Sequence, residues 1–168
     1  PMPAPSFKLL CSHPAHALSL GLGSGLAPKA PGTFGSLAAW LLFVGFNPWL
    51  GNVGMAALLV VSLVLGAWCI QRTGEALGEV DHGAIVWDEF VAVWLVLWLS
   101  PAAWGWQALA VGLFRFFDIL KPWPIRQADA RFKNGFGVMF DDLLAAGYTL
   151  LVMALTTQGL RAVGVDWF

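Results

Sequence analysis

Apolar positions along this chain come in long uninterrupted runs, with the charged positions gathered between them. Residues 30–71, 90–114 and 143–160, runs of 42, 25 and 18 residues, contain no Asp, Glu, Lys or Arg. Each meets or exceeds the roughly 17 to 20 residues that a membrane-spanning helix requires. The longest run exceeds one span and carries turn chemistry in its middle, Phe46-Asn47-Pro48-Trp49 with Gly51-Asn52. It therefore predicts a helical hairpin over about 35–46 and 53–71, whose first arm rises at most about 18 Å. Within 90–114, Ser100-Pro101-Ala102-Ala103 precedes Trp104-Gly105-Trp106, a proline that ends a helix and tryptophans suited to a membrane interface. This run predicts helices over about 86–99 and 104–119 that turn back on one another, and a last helix follows over about 141–158. The expected fold class is all-α: a polytopic membrane helical bundle with about five short spanning or hairpin helices.

The charges test this topology. Six lie in 72–89 and nine in 115–142, with only Lys8, Lys29, Arg161 and Asp166 elsewhere. Five crossings place Lys8, Lys29, Arg72, Arg115, Lys121, Arg126, Arg131 and Lys133 on one side and Arg161 alone on the other. The positive-inside rule then puts both charged clusters in the cytoplasm.

Composition points the same way. The chain of 168 residues is 58% hydrophobic and only 11% charged, where a soluble domain carries about 25% charged residues. A mean hydropathy of +0.72 and 10 Trp exclude a disordered chain, a disulfide scaffold or a nucleic-acid binder, and argue against an ordinary water-soluble enzyme. Cys11 and Cys69 stand far apart in apolar surroundings, outside metal or disulfide spacings, and are expected to be core thiols. Pro1 before Met2 reads as a cloning scar, and no signal-peptide order follows it. Residues 1–16 are expected to be an N-terminal segment and 17–168 a single membrane-embedded domain.

Several groups can carry chemistry. Asp88-Glu89 opens an apolar helix, and Asp141-Asp142 repeats the arrangement before Leu143-Leu144. Acids in a first helical turn complement the helix dipole, which is the plain structural reading. Two such doublets at one face of a membrane are costly without a neutralising cation, and hard oxygen ligands point to Mg²⁺ or a similar ion. Arg115, Lys121 and Arg126 close the second hairpin and can clamp phosphate, or can be snorkelling cations beside a structural ion pair. Asp118 is an i,i+3 neighbour of both Arg115 and Lys121 and can bridge them. The Gly/Pro-rich segment 21–36 matches neither a dinucleotide nor a P-loop fingerprint, yet Thr33 and Ser36 enter a helix N-terminus that can receive an anion. Asp81-His82-Gly83 is a turn, with His82 a candidate for proton transfer and Asp81 a supporting carboxylate. No cysteine-phosphatase loop, GxSxG or recurring His/Asp pattern is present, which leaves metal-assisted attack at phosphorus.

Four blocks, Gly23-Ser24-Gly25-Leu26-Ala27-Pro28 with Pro31-Gly32-Thr33-Phe34-Gly35-Ser36, Asp81-His82-Gly83 with Trp87-Asp88-Glu89-Phe90, Arg115-Phe116-Phe117-Asp118-Ile119-Leu120-Lys121-Pro122-Trp123-Pro124-Ile125, and Gly137-Val138-Met139-Phe140-Asp141-Asp142, resemble the phosphatidylglycerophosphatase A family over about residues 17–158. The resemblance implies a Mg²⁺-dependent phosphatase of the bacterial inner membrane. Its substrate would be phosphatidylglycerophosphate in the inner leaflet and its product phosphatidylglycerol. On this reading Asp88, Glu89, Asp141 and Asp142 hold the metal and supply the catalytic carboxylates, and Arg115, Lys121, Arg126, Thr33 and Ser36 bind the phosphate. A lipid phosphotransferase, a small ion carrier and an assembly subunit are the alternatives. Membrane lipid is the expected partner, nucleic acid is not, and no protein partner can be inferred.

Overall fold

A computed structural model describes residues 4–165, so the reading of Pro1 as a scar and the charge of Asp166 lie outside the described residues. All regular structure among the described residues is helical. Two short helices, α1 (Phe7–Ser12) and α2 (Pro14–Ser19), lead through a tight turn at Gly21–Leu26 into α3 (Pro31–Leu77). The rest of the chain forms α4 (Trp87–Trp98), α5 (Trp104–Leu120), α6 (Ile125–Arg131) and α7 (Gly135–Ala162).

The expected hairpin lies inside α3. Its direction reverses at Gly51, which takes φ +65° and ψ −177°, a conformation open to glycine and strained for other residues. Contacts with α4 fix the reversal: Gly35 in the first arm and Gly66 in the second both pack against the start of α4, at Val86 and Trp87. Asn52, at the bend, meets the far end of α4 through Trp98 Nε1 at 3.2 Å. The break falls inside the expected turn, at Gly51 and not at Pro48, because a proline disrupts only the helical turn preceding it, whereas Gly51 can turn the chain. Helix α5 runs back along α4, bringing Gln107 to Trp40 (2.9 Å) and Arg115 to Glu89.

Helix α4 forms the centre. Beyond Asp88 and Glu89 in its first turn it is apolar all round, and it is buried on nearly every side, as a helix surrounded by other helices must be. Trp87 stacks on Phe90 and both meet Trp94 edge to face along it, and the indole N–H groups of Trp87 and Trp94 donate to the carbonyls of Ser62 and Ala39, one on each arm of α3. These bonds satisfy the only polar atoms that such rings bury.

Helix α7 starts earlier than the sequence suggested. Asn134 caps it by accepting the Gly137 N–H at 2.8 Å, so Asp141 and Asp142 lie in its second turn and not at its N-terminus. Dipole complementation in a first turn therefore does not explain that doublet. Gly135 lets α7 start against α3, since a Cβ there would lie 2.0 Å from the Ala67 carbonyl oxygen. A further correction concerns Cys11, which is exposed on α1, while Cys69 is buried as expected.

Two helices, α3 and α7, are long and apolar enough to cross a membrane by length and composition. Leu41, Trp49, Val53, Val60, Val64 and Trp68 stand exposed along α3, an apolar surface suited to lipid. Helices α4 and α5, with 12 and 17 residues, fall short of that length.

Candidate active site

The antiparallel course of the helices brings the start of α4, the end of α5 and the start of α7 to one end of the bundle. Asp88 and Glu89 come from the first turn of α4, Asp142 from the second turn of α7. Each offers a carboxylate oxygen within 4.8 Å of the others, and all three side chains are buried. Asp88 Oδ1, Glu89 Oε2 and Asp142 Oδ2 are fully enclosed without a hydrogen-bond partner.

Arg115 is the cation in contact with this trio. Its Nη1 reaches Glu89 Oε1 at 3.5 Å and also Asp118 Oδ2 one turn along α5, while its Nε is buried without a partner. Glu89 and Asp118 thus share a single guanidinium, with Asp88 and Asp142 beside Glu89. Buried charge of one sign is costly without compensation, so the uncompensated carboxylates and their free oxygens fit a hard divalent cation. Helix α3 begins beside the guanidinium with no side-chain cap; a Cβ on Gly32 would lie 2.9 Å from both Arg115 Nη2 and Glu89 Oε1. First-turn amides next to an arginine are suited to an anion.

Asp141 does not join its neighbour. Consecutive helical residues point about 100° apart, and Asp141 turns instead to Asp81, on the loop before α4, and Asp129 on α6. These three also place carboxylate oxygens within 4.8 Å of one another. The four carboxylates expected as one metal cluster are therefore divided between two adjoining trios, Asp88, Glu89 and Asp142 in one and Asp141 in the other. Asp129 is the residue that sequence reasoning missed.

The remaining expected residues are placed as follows. Lys121 pairs with Asp129 at 3.7 Å and not with Asp118. Burial pulls its ammonium down, but the carboxylates of Asp118, Asp129, Asp142 and Asp141 outweigh that and hold it above its ordinary value. Partial desolvation and the neighbouring Asp129 push Asp81, which is exposed at the rim, up to about 6. Thr33 sits in the first turn of α3 next to Gly32. Ser36 is fully buried and donates to the Gly32 carbonyl at 2.9 Å, so its hydroxyl is committed within the helix. His82 Nδ1 accepts the Ala84 N–H at 3.0 Å, which ties it to its own turn, and neither trio includes it. Arg126 reaches the Leu120 carbonyl at 3.3 Å and borders an apolar recess with Phe116 and Ile119.

The family model described as Phosphatidylglycerophosphatase A matches residues 17–157. A Haemophilus influenzae protein named phosphatidylglycerophosphatase A is 47% identical over 150 residues, 89% of this chain and 92% of that one. An Escherichia coli protein of the same name is 41% identical over 142 residues, 82% of this chain and 80% of its own length. A Bacteroides thetaiotaomicron protein, provisionally named a phosphatidylinositol-3-phosphatase, is 37% identical over 145 residues, 82% of this chain and 90% of its own. No solved structure matches the chain. With its four motif blocks falling within a match over residues 17–157, and with the residues of three of them lining the buried end of one helical bundle, the chain belongs to the phosphatidylglycerophosphatase A family.

Proposed function

We propose that this protein hydrolyses the terminal phosphomonoester of phosphatidylglycerophosphate, releasing phosphatidylglycerol and inorganic phosphate, at the end of the bundle where Asp88, Glu89 and Asp142 meet Arg115. The observation that carries the reading is the buried trio with three unpartnered oxygens beside one arginine. Membership in a phosphatase family sets aside the ion-carrier and assembly readings.

Asp88, Glu89 and Asp142 would hold Mg²⁺, which when bound supplies Lewis-acid polarisation of a phosphoryl oxygen and a more acidic water. Arg115 orients the phosphate with the donors left over from Glu89 and Asp118, and Lys121 adds positive charge from the rim. The first-turn amides of α3 receive the remaining oxygens. Leaving the acyl chains against the exposed apolar surface of α3 lets the headgroup alone enter the polar end. Substrate identity is tested by offering phosphatidylglycerophosphate, phosphatidic acid and phosphatidylinositol 3-phosphate with matched acyl chains. Phosphate release from the first should exceed the others by at least about tenfold, the discrimination expected of a site that hydrogen-bonds its headgroup. Faster release from either alternative overturns the substrate assignment.

The proposal includes five crossings of a bacterial inner membrane, two by the arms of α3 and one each by α4, α5 and α7, with the site on the cytoplasmic side. Support comes from the shared placement of the acidic trios at one end and from the eight-to-one division of basic residues. Reporters fused after residues 80 and 130 should read cytoplasmic, and one near residue 102 periplasmic. Opposite readings at 80 and 130 would break the five-crossing topology.

A further inference from the structure

We propose that Asp81, Asp129 and Asp141 form a second divalent-cation site, separate from the trio of Asp88, Glu89 and Asp142 and adjoining it through the consecutive residues Asp141 and Asp142. The three carboxylates come from three elements: the loop before α4, helix α6 and helix α7. Their oxygens converge within 4.8 Å of one another. Asp81 is exposed and Asp129 half-buried, at the open side of the cluster, but Asp141 at its inner side is 3% exposed and its Oδ1 is enclosed with no hydrogen-bond partner. An enclosed carboxylate oxygen without a donor costs free energy that a bound cation would recover.

Charge at this end of the bundle supports bound cations. The two trios, Asp118 and Glu79 bring eight carboxylates together, against Arg115, Lys121 and Lys133, an excess of negative charge that divalent ions at both trios would offset in large part. The site is also reachable. A cavity of about 300 Å³, bordered by Glu79, Asp81, Asp129 and Lys133, opens beside the trio and gives a hydrated ion a way in. All ligands are hard oxygens with no sulfur or imidazole, which selects Mg²⁺ or Mn²⁺ over softer metals.

The count of two rests on the proposed cation at Asp88, Glu89 and Asp142; the second site itself does not. Protein stripped of metal in detergent is titrated with Mn²⁺, and free Mn²⁺ is followed by electron paramagnetic resonance. Wild type should bind two ions, with a magnetic coupling between neighbouring Mn²⁺ centres. Asp129→Asn and, as a second variant on a different element, Asp81→Asn should each bind one ion and lose the coupling. Asp88→Asn should also bind one. If wild type binds one ion that Asp88→Asn loses and both Asp129→Asn and Asp81→Asn keep, the second site is overturned and the first reading stands. One ion lost in Asp129→Asn and kept in Asp88→Asn supports the second site and overturns the first. No bound ion overturns both.

Discussion

Asp88→Asn is expected to lower phosphate release by more than about a hundredfold at saturating Mg²⁺, while the protein folds and inserts normally. Groups that merely orient metal ligands are worth about 10- to 100-fold, and Asp88 would be a ligand itself. Its buried Oδ1 has no other partner whose loss could explain such an effect. The sign of the stability change is a second signature. In chelator, with no cation bound, Asp88→Asn removes one of three crowded carboxylates and relieves repulsion, so its thermal midpoint should equal or exceed that of wild type. With Mg²⁺ present the order should reverse, because only wild type gains the full binding free energy. Calorimetry in detergent with and without metal reads both, and near wild-type turnover by the variant would remove Asp88 from the site.

Arg115→Leu is expected to act differently, costing activity and stability together. Arg115 is the guanidinium that reaches Glu89 and Asp118, whose carboxyl groups are about one-tenth exposed. Breaking a buried pair by removing one partner costs roughly 3–5 kcal/mol, since the other charges stay buried. Losing a preorganised donor to the phosphoryl oxygens costs a further factor of about 10²–10³ in turnover. Arg115→Lys should recover part of the stability through one ion pair. It should recover little of the turnover, because an ammonium cannot bond two carboxylates and a phosphate in one plane. Thermal unfolding together with phosphate release separates the two effects. Wild-type stability in Arg115→Leu would show that the clasp seen in the structure contributes nothing.

Much of this arrangement was legible in the pattern of charges. The charge-free runs and the Ser100-Pro101 break located α4, α5 and the hairpin within α3, because apolar length and helix-ending residues are local properties. What escaped depended on helix phase and on distant neighbours. Asp141 and Asp142 read as one doublet, although adjacent helical positions face different ways; the cap at Asn134-Gly135 would have set that phase. Asp129 sits among Arg126, Arg131 and Lys133, where a mixed-charge segment looks like any solvated surface. Only the packing of α6 against α7 turns it towards Asp141. Ser36 matched a motif block, but its hydroxyl serves its own helix. The reversal at Gly51 falls within the turn expected between residues 46 and 53.

The most direct test is a balance of products under metal control. Purified protein, stripped of divalent ions and supplied with phosphatidylglycerophosphate in vesicles or mixed micelles, is followed for inorganic phosphate and phosphatidylglycerol together. The account predicts no turnover in chelator and, on adding Mg²⁺, equal amounts of the two products, with Asp142→Asn inactive under both conditions. Full phosphate release in chelator, or equal release by Asp142→Asn, would contradict a metal-assisted phosphatase site at the buried end of the bundle.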